Sequence, residues 1–323
     1  MSELRWHPLL RQWVVVASHR QNRPQMPANW CPFDPGSGNV PDDYDVLIYP
    51  NDFPAFDLAG EPFDPEAKSL FGTTGAHGVC DVVLYSPVHT QRPSDLPVDH
   101  WRKIVDLWAS RVQELSATPG VNYVMVFENS GAAIGVTMPH PHGQIYAFPF
   151  LPPLVQIELD AARQHYQHTF RCLYCDLMKG EQEQQQRIVT ENEHFLAFVP
   201  YAARFPSEVQ LYAKRHYGQL RDMTVEERQS LASVLSVIRR KYDNLYPDME
   251  PKDAVLPLMM ILRLQPTTGD HPYFHFHIEF FPLQRSGKKL KYLAAVETAG
   301  GTYLADTKPE ERAAALRKAE PAI

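Results

Sequence analysis

Residues 128–144 read ENSGAAIGVTMPHPHGQ, and a later stretch, residues 265–279, reads QPTTGDHPYFHFHIE. Both stretches place two histidines one residue apart behind a polar loop. The second pair follows the first by 135 positions: His140 and His142, then His275 and His277. A recurrence over so long a separation indicates an internal duplication, and the search for further matches starts from these histidines.

Other features recur in the same order. A Cys-x-x-Asp segment in the first half corresponds to a Cys-x-x-Cys segment in the second, and a Leu-Tyr pair, a single histidine and an aspartate recur 127 positions later. The matching sets are Cys31 and Asp34 with Cys172 and Cys175, and Leu84, Tyr85, His89 and Asp95 with Leu211, Tyr212, His216 and Asp222. The order predicts two half-units, residues 1–155 and 156–323.

Each half shows the same alternation of short apolar strands and one long amphipathic helix. Apolar residues recur at helical spacing over residues 101–115 and again over 231–238. The second helix opens with Thr224 and Glu227, a capping-box pair, and Pro97 occupies the equivalent place in the first. We therefore predict an α+β fold in which each half has an antiparallel sheet with packed helices.

Composition excludes several classes. The 323 residues carry a formal net charge of −7 and no Lys/Arg-rich run, which argues against nucleic-acid binding. No apolar stretch approaches the length of a membrane span, and the N-terminus lacks a signal-peptide pattern, so we expect a cytoplasmic protein that does not bind membranes. The four cysteines are too few for a disulfide scaffold and are read first as metal ligands or redox groups.

The stretch at 128–144 carries the chemistry. Side chains alternate along a strand, so His140, His142 and Gln144 are predicted to share one face. The turn before them, residues 131–135, is rich in small side chains and allows backbone N–H groups to approach a phosphate. An imidazole beside such a turn can attack phosphorus, while a neutral amide at Gln144 can hold phosphoryl oxygens without transferring a proton.

Cysteine and histidine also form two candidate metal sets, one in each half. The second-half set combines two thiols with two imidazoles, the donors of a tetrahedral zinc site. The first-half set has a carboxylate in place of one thiol, which leaves its occupancy open. The residues are Cys172, Cys175, His216 and His275 in the second half and Cys31, Asp34, His89 and His140 in the first.

The HPHGQ segment, with Glu128-Asn129-x-Gly-Ala-Ala before it, resembles the active-site signature of galactose-1-phosphate uridylyltransferases, the transferase branch of the histidine-triad superfamily. The opening of the chain, with Trp13, Arg20 and Arg23, is similar to that family as well. The resemblance covers roughly residues 5–300. It implies a duplicated histidine-triad-like fold, one or two structural zinc ions and a homodimer whose active sites are shared between subunits.

By this resemblance His142 attacks UDP-glucose, releases glucose-1-phosphate and carries UMP until galactose-1-phosphate accepts it. Gln144 steadies the phosphoryl oxygens. The residues that match the family's substrate contacts are Arg20, Arg23, Asn51, Asp52, Asn129, Gly135, Val136, Thr137, Lys291, Tyr292 and Glu297. The hexose-side match is weaker, because Val296 stands where many members have Tyr. The resemblance also implies that Asp34 replaces a cysteine common in the family.

Three other functions are open at this point. A related transferase or phosphorylase could act on another nucleotide sugar, such as ADP-glucose. A histidine-triad hydrolase normally has His where this chain has Gln144. A catalytically silent nucleotide sensor would bind nucleotide without forming a covalent adduct.

Overall fold

The structure is a computed structural model that describes residues 2–22, 30–136, 138–249 and 255–319. Within these ranges the first half contains β1 Glu3–His7, β2 Gln12–Val16, β3 Leu47–Pro50, β4 Thr73–Gly75, β5 Val79–Leu84, α1 Val98–Ser116, β6 Tyr123–Ser130 and β7 His142–Phe148. The second half contains α2 Pro153–Thr169, α3 Leu173–Gln184, β8 Ile188–Glu191, β9 Phe195–Phe198, β10 Val209–Ala213, α4 Val225–Asn244, β11 Leu258–Arg263, β12 His277–Pro282, β13 Gln284–Ser286, β14 Lys289–Leu290, α5 Ala295–Thr298 and α6 Pro309–Lys318.

One nine-stranded sheet runs through both halves in the order β3-β5-β7-β6-β11-β12-β10-β9-β8, and every pairing in it is antiparallel. The run β5-β7-β6 has its counterpart in β10-β12-β11, which confirms the predicted duplicated α+β fold. The two half-sheets meet edge to edge where β6 pairs with β11, for example Phe127 with Ile261. The halves therefore share one continuous sheet, which the repeat pattern did not predict.

The long helices α1 and α4 cover one face of this sheet and pack against each other. The predicted apolar positions are buried, including Trp101 and Trp108 on α1 and Leu231 on α4. Burial of each such side chain stabilises the fold by about 1.5–3 kcal/mol. The capping box at the start of α4 is confirmed: the Thr224 side chain accepts from the Glu227 backbone, and the Glu227 carboxylate accepts from the Thr224 backbone.

The other face of the sheet is covered differently in the two halves. In the second half α2 and α3 pack on it through a cluster that includes Leu159, Tyr174 and Tyr212. In the first half a loop cluster around Phe33 and Tyr44 and the hairpin of β1 and β2 cover it instead. The chain passes from one half to the other through α2. Among the described residues, no helix has both the length and the apolar character that crossing a membrane requires.

Candidate active site

His142 is the first residue of β7, and it borders a cavity of about 680 Å³. Its neighbour His140 lies before the strand, at a bend between Pro139 and Pro141. Proline has no N–H to donate to a ladder, which explains why pairing starts at His142. The predicted strand alternation therefore applies to His142 and Gln144. The prediction that His140 belongs to the same strand is wrong.

The backbone fixes the tautomer of His142. Its Nδ1 lies 2.7 Å from the carbonyl oxygen of His140, and since a carbonyl only accepts, Nδ1–H is the donor. A neutral ring then carries its lone pair on Nε2, the nitrogen directed away from this bond. The copy in the second half repeats this contact, with His277 Nδ1 2.9 Å from the His275 carbonyl. The spacing His-x-His thus sets the ring orientation in both halves.

The small-residue turn lies beside His142, as predicted. It forms a short 3-10 helix over Ala132–Ile134 between two glycines, Gly131 and Gly135, whose φ angles are 87° and 82°. A Cβ on Gly131 would stand 2.9 Å from the Pro257 Cα, so the residue needs glycine for space as well as for φ. The cavity wall includes Asn129, Gly131, Ala132 and Val136 with His142.

Gly143 lets β7 lie directly over a buried tyrosine. A Cβ at this position would stand 2.2 Å from the Tyr85 hydroxyl oxygen and 3.1 Å from the Phe127 carbonyl oxygen. Tyr85 is fully buried on the helix side of the sheet. The glycine between the candidate nucleophile and Gln144 is therefore required by packing beneath the strand.

The second-half metal set comes together as predicted. The ligand atoms of Cys172, Cys175, His216 and His275 all lie within 4.8 Å of one another. Cys175 Sγ is 3.5 Å from His216 Nδ1 and 3.4 Å from His275 Nδ1, close to the separations of about 3.5 Å expected between ligands of one tetrahedral zinc ion. His275 Nε2 donates to the Ala213 carbonyl at 2.7 Å, which turns Nδ1 towards the cluster.

The two thiols of this set differ. A hydrogen bond from Cys175, with further ones from His216 and His275, lowers the pKa of Cys172 well below its usual range. The hydrogen bond with Cys172 in turn raises the pKa of Cys175. Thiolate is the form of cysteine that binds a metal ion. Metal binding would release the protons that the other ligands of the set still carry.

The first-half set is also assembled. The ligand atoms of Cys31, Asp34, His89 and His140 lie within 4.8 Å of one another. Asp34 Oδ1 is 3.0 Å from His89 Nδ1 and 3.2 Å from His140 Nδ1. Burial lowers the pKa of His140, which favours the neutral imidazole that a metal requires. The donors fit a metal ion, with a carboxylate in place of the second thiolate.

Tyr44 completes the surroundings of His140 and was missed from the sequence. Its hydroxyl lies 2.9 Å from His140 Nε2, and the same nitrogen donates to the Ser86 carbonyl at 2.7 Å. These contacts fix the ring so that Nδ1 faces the metal set. A lone tyrosine in a polar loop carries no sequence signal for this role.

The remaining candidates are placed apart from the cavity. The Arg20 guanidinium donates to the Phe53 carbonyl at 3.0 Å, and Asn51 accepts from the Phe53 backbone at 2.9 Å. Asp52 accepts from the Tyr49 hydroxyl at 2.9 Å. None of these three residues borders the cavity on which His142 opens. Arg23 and Thr137 lie outside the described residues.

The hexose-side candidates belong to another part of the chain. Lys291 and Glu297 form a buried ion pair of 3.1 Å, and Lys291 also donates to the Leu304 carbonyl. Tyr292 is 76% exposed. Within one chain the structure does not bring these residues into the cavity with His142.

The second-half counterpart of the site carries charged side chains, and His277 and Glu279 border a cavity of about 440 Å³. His277 is buried, and burial lowers its pKa to about 4. Glu279, at the position of Gln144, accepts from Arg263 at 2.6 Å, and Arg263 also contacts Glu158 at 3.1 Å. This half therefore presents an ion pair where the first half presents the neutral amide of Gln144, and the non-catalytic role of this copy stays a prediction.

Fold and site together define a class. A solved uridylyltransferase superimposes on the chain with a TM-score of 0.88 at 32% identity, covering 98% of both chains. The described arrangement is therefore that of a nucleotidyltransferase. An ADP-glucose phosphorylase from Arabidopsis thaliana, with a TM-score of 0.74 and 23% identity over 98% and 99% of the two chains, shares the fold.

Sequence comparison gives the particular family. The profile of the galactose-1-phosphate uridyl transferase N-terminal domain matches residues 31–152, and that of its C-terminal domain matches residues 158–320. The galactose-1-phosphate uridylyltransferase of Thermotoga maritima is 38% identical over all of both chains. That of Rattus norvegicus is 30% identical over 97% of this chain and 86% of its own. The chain belongs to the galactose-1-phosphate uridylyltransferase family.

Proposed function

We propose that this chain transfers UMP from UDP-glucose to galactose-1-phosphate through a covalent uridylyl-His142. The observation that carries the proposal is the hydrogen bond from His142 Nδ1 to the His140 carbonyl, at 2.7 Å, which in a neutral ring puts the lone pair on Nε2 of a residue that borders the cavity. Membership in the family supports the substrates.

In the first half-reaction Nε2 of His142 attacks the α-phosphorus of UDP-glucose. The N–P bond forms as the bond to the bridging oxygen breaks, and glucose-1-phosphate leaves with that oxygen and its electron pair. In the second half-reaction a phosphate oxygen of galactose-1-phosphate attacks the same phosphorus, and Nε2 recovers its lone pair. No step requires a group that moves a proton at phosphorus, which suits the neutral amide of Gln144.

Binding of the diphosphate is assigned to the turn beside His142. Asn129, Gly135, Val136 and Thr137 are proposed contacts, supported by the cavity wall formed by Asn129 and Val136. Backbone N–H groups in a turn with two positive-φ glycines suit an anionic ligand. The uridine side is assigned to the second group of candidates: Arg20, Arg23, Asn51 and Asp52.

We propose that both Cys/His clusters hold zinc in a structural role. The donor sets support this ion, since thiolate and imidazole are its preferred ligands and carboxylate is an acceptable one. Zinc would supply a cross-link between loop and strand. In the first half it would fix His140, whose carbonyl in turn orients His142.

We propose that the enzyme works as a homodimer. Lys291, Tyr292 and Glu297 are assigned to the hexose on the family resemblance, and they do not border the cavity of their own chain. In a dimer, the exposed Tyr292 of one subunit would contact the active site of the other subunit. We also assign the half-units 1–155 and 156–323 and a cytoplasmic location, the latter supported by four unpaired cysteines. Neither nucleic acid nor membrane is assigned as a partner.

Intact-mass spectrometry after exposure to UDP-glucose tests the proposal. We expect one added uridylyl group in the wild type, its loss on addition of galactose-1-phosphate, and no adduct in His142→Gly. A preformed uridylyl-imidazole should still react with galactose-1-phosphate in His142→Gly, which separates lost chemistry from lost folding. Loading by ADP-glucose in place of UDP-glucose would favour another nucleotide sugar, and tight binding without any adduct would favour a sensor.

A further inference from the structure

A buried ion pair joins the two halves behind the candidate active site. Glu128 on β6 is 1% exposed and Arg239 on α4 is 4% exposed. Arg239 Nη2 lies 2.9 Å from Glu128 Oε1 and 3.3 Å from the Ser130 hydroxyl, and Ser130 also donates to Glu128. The repeat pattern and the signature residues of the family resemblance give this pair no role.

The pair lies where the phosphate turn begins. Alternation along β6 directs Glu128 and Ser130 to the helix side and Asn129 to the side of Gln144. Ser130 is the last residue of the strand, directly before Gly131. Arg239 therefore holds, from the second half, the strand end from which the turn departs. Glu128 itself borders the cavity that His142 faces.

A contact to the strand of His142 extends the same cluster. Phe127, the residue before Glu128, pairs with Gln144, the residue after Gly143. The Tyr85 hydroxyl lies under Gly143, next to His142. One Glu128 oxygen, Oε2, has no hydrogen-bond partner among the described residues. The cluster thus touches both the turn and the strand that meet at the site.

Burying two charges costs nearly as much free energy as their attraction returns, so such a pair is weak evidence for stability. A pair of fixed geometry does, however, set the relative position of the elements that carry it. We infer that Glu128 and Arg239 are positioning residues: they hold the phosphate turn and His142 in register, so that in-line attack depends on them. This inference rests on the proposed function.

The test compares variants that keep the buried volume. Glu128→Gln/Arg239→Met removes both charges together and leaves no unpaired ion, so it should fold where either single variant risks unfolding. The measurements are melting temperature, KM for UDP-glucose and the single-turnover rate of uridylyl adduct formation. We expect a folded protein with little change in KM and a loading rate reduced by about 100-fold, the cost of a misplacement of about 1 Å.

The control is another buried ion pair, Arg187 with Glu181, at 3.0 Å and away from the His142 cavity. Arg187 also pairs with Glu310 at 2.8 Å, so Glu181→Gln/Arg187→Met leaves that carboxylate unpaired and should lower the melting temperature without changing the loading rate. A wild-type loading rate in Glu128→Gln/Arg239→Met would overturn the inference, as would an equal loss of rate in both double variants. Absence of an adduct in the wild type would instead overturn the proposed function.

Discussion

Gly143→Ala probes the packing under the candidate nucleophile with one added methyl group. The new Cβ would meet the Tyr85 hydroxyl at 2.2 Å, the ring carbon Cζ at 2.9 Å and the Phe127 carbonyl oxygen at 3.1 Å. Ordinary contacts begin near 3.4 Å. Either the tyrosine or β7 must therefore move by about 1 Å, and the tyrosine is packed among α1 side chains.

Overpacking of this kind costs about 1–3 kcal/mol of unfolding free energy. A strand shift of about 1 Å at His142 should also reduce kcat by about 100-fold. Tyr85→Phe removes the closest atom but leaves Cζ, so Gly143→Ala/Tyr85→Phe should recover only part of the loss. The coupling between the two sites should be about 0.5–3 kcal/mol.

Chemical denaturation and the initial rate of uridylyl transfer measure the two effects. Gly180→Ala is the matched control, because Gly180 lies inside α3 with no atom within 4 Å of its added Cβ. Alanine there should stabilise the protein by about 0.5–1 kcal/mol and leave the rate unchanged. If Gly143→Ala matched the wild type in both stability and rate, the packing argument for HPHGQ would be refuted.

Three further outcomes follow from the metal clusters and one buried acid. Cys172→Ser should lose one equivalent of zinc by elemental analysis, because a hydroxyl replaces a thiolate ligand; equal zinc in both proteins would contradict the second-half site. Asp34→Cys should slow zinc release from the first-half set to a chelator, and unchanged release would argue against that set as a zinc site. Burial raises the pKa of Glu208 from 4.5 to about 7, so its contribution to stability is fully present below about pH 4.5 and is lost as pH rises through about 7. Unfolding free energy of Glu208→Gln should therefore fall less between pH 5 and 8 than that of the wild type, and parallel curves would contradict this assignment.

Much of the fold could be predicted from the sequence, because the two duplicated halves carry the same local sequence patterns. The helices α1 and α4 carry their own apolar spacing and start signals, and Thr224 with Glu227 forms its cap from residues three apart. Joining of the half-sheets was not open to prediction. It depends on pairing between β6 and β11, whose residues Phe127 and Ile261 are far apart in sequence.

The candidate site likewise has parts that the local sequence predicts and parts that depend on tertiary contacts. Both Cys/His sets could be predicted from residue identity and spacing, and so could the place of His142 beside the small-residue turn, while the roles of His142 and Gln144 stay predictions. The contacts of Tyr44 with His140 and of Arg239 with Glu128 could not be predicted, since each joins residues that are far apart in sequence. The bend at His140 could have been predicted from the flanking prolines, Pro139 and Pro141.

The two copies differ in charge beside the second histidine of each pair. Exchange of the amide of Gln144 for the carboxylate of Glu279 puts a negative charge where phosphoryl oxygens would lie, and Arg263 neutralises it at 2.6 Å. Both ions are buried, so neither can be removed alone without leaving an unpaired charge. His275 lies in the second-half Cys/His cluster, where a ligand role would need no open face. The same strand position thus carries a neutral amide in one half and one member of a buried ion pair in the other.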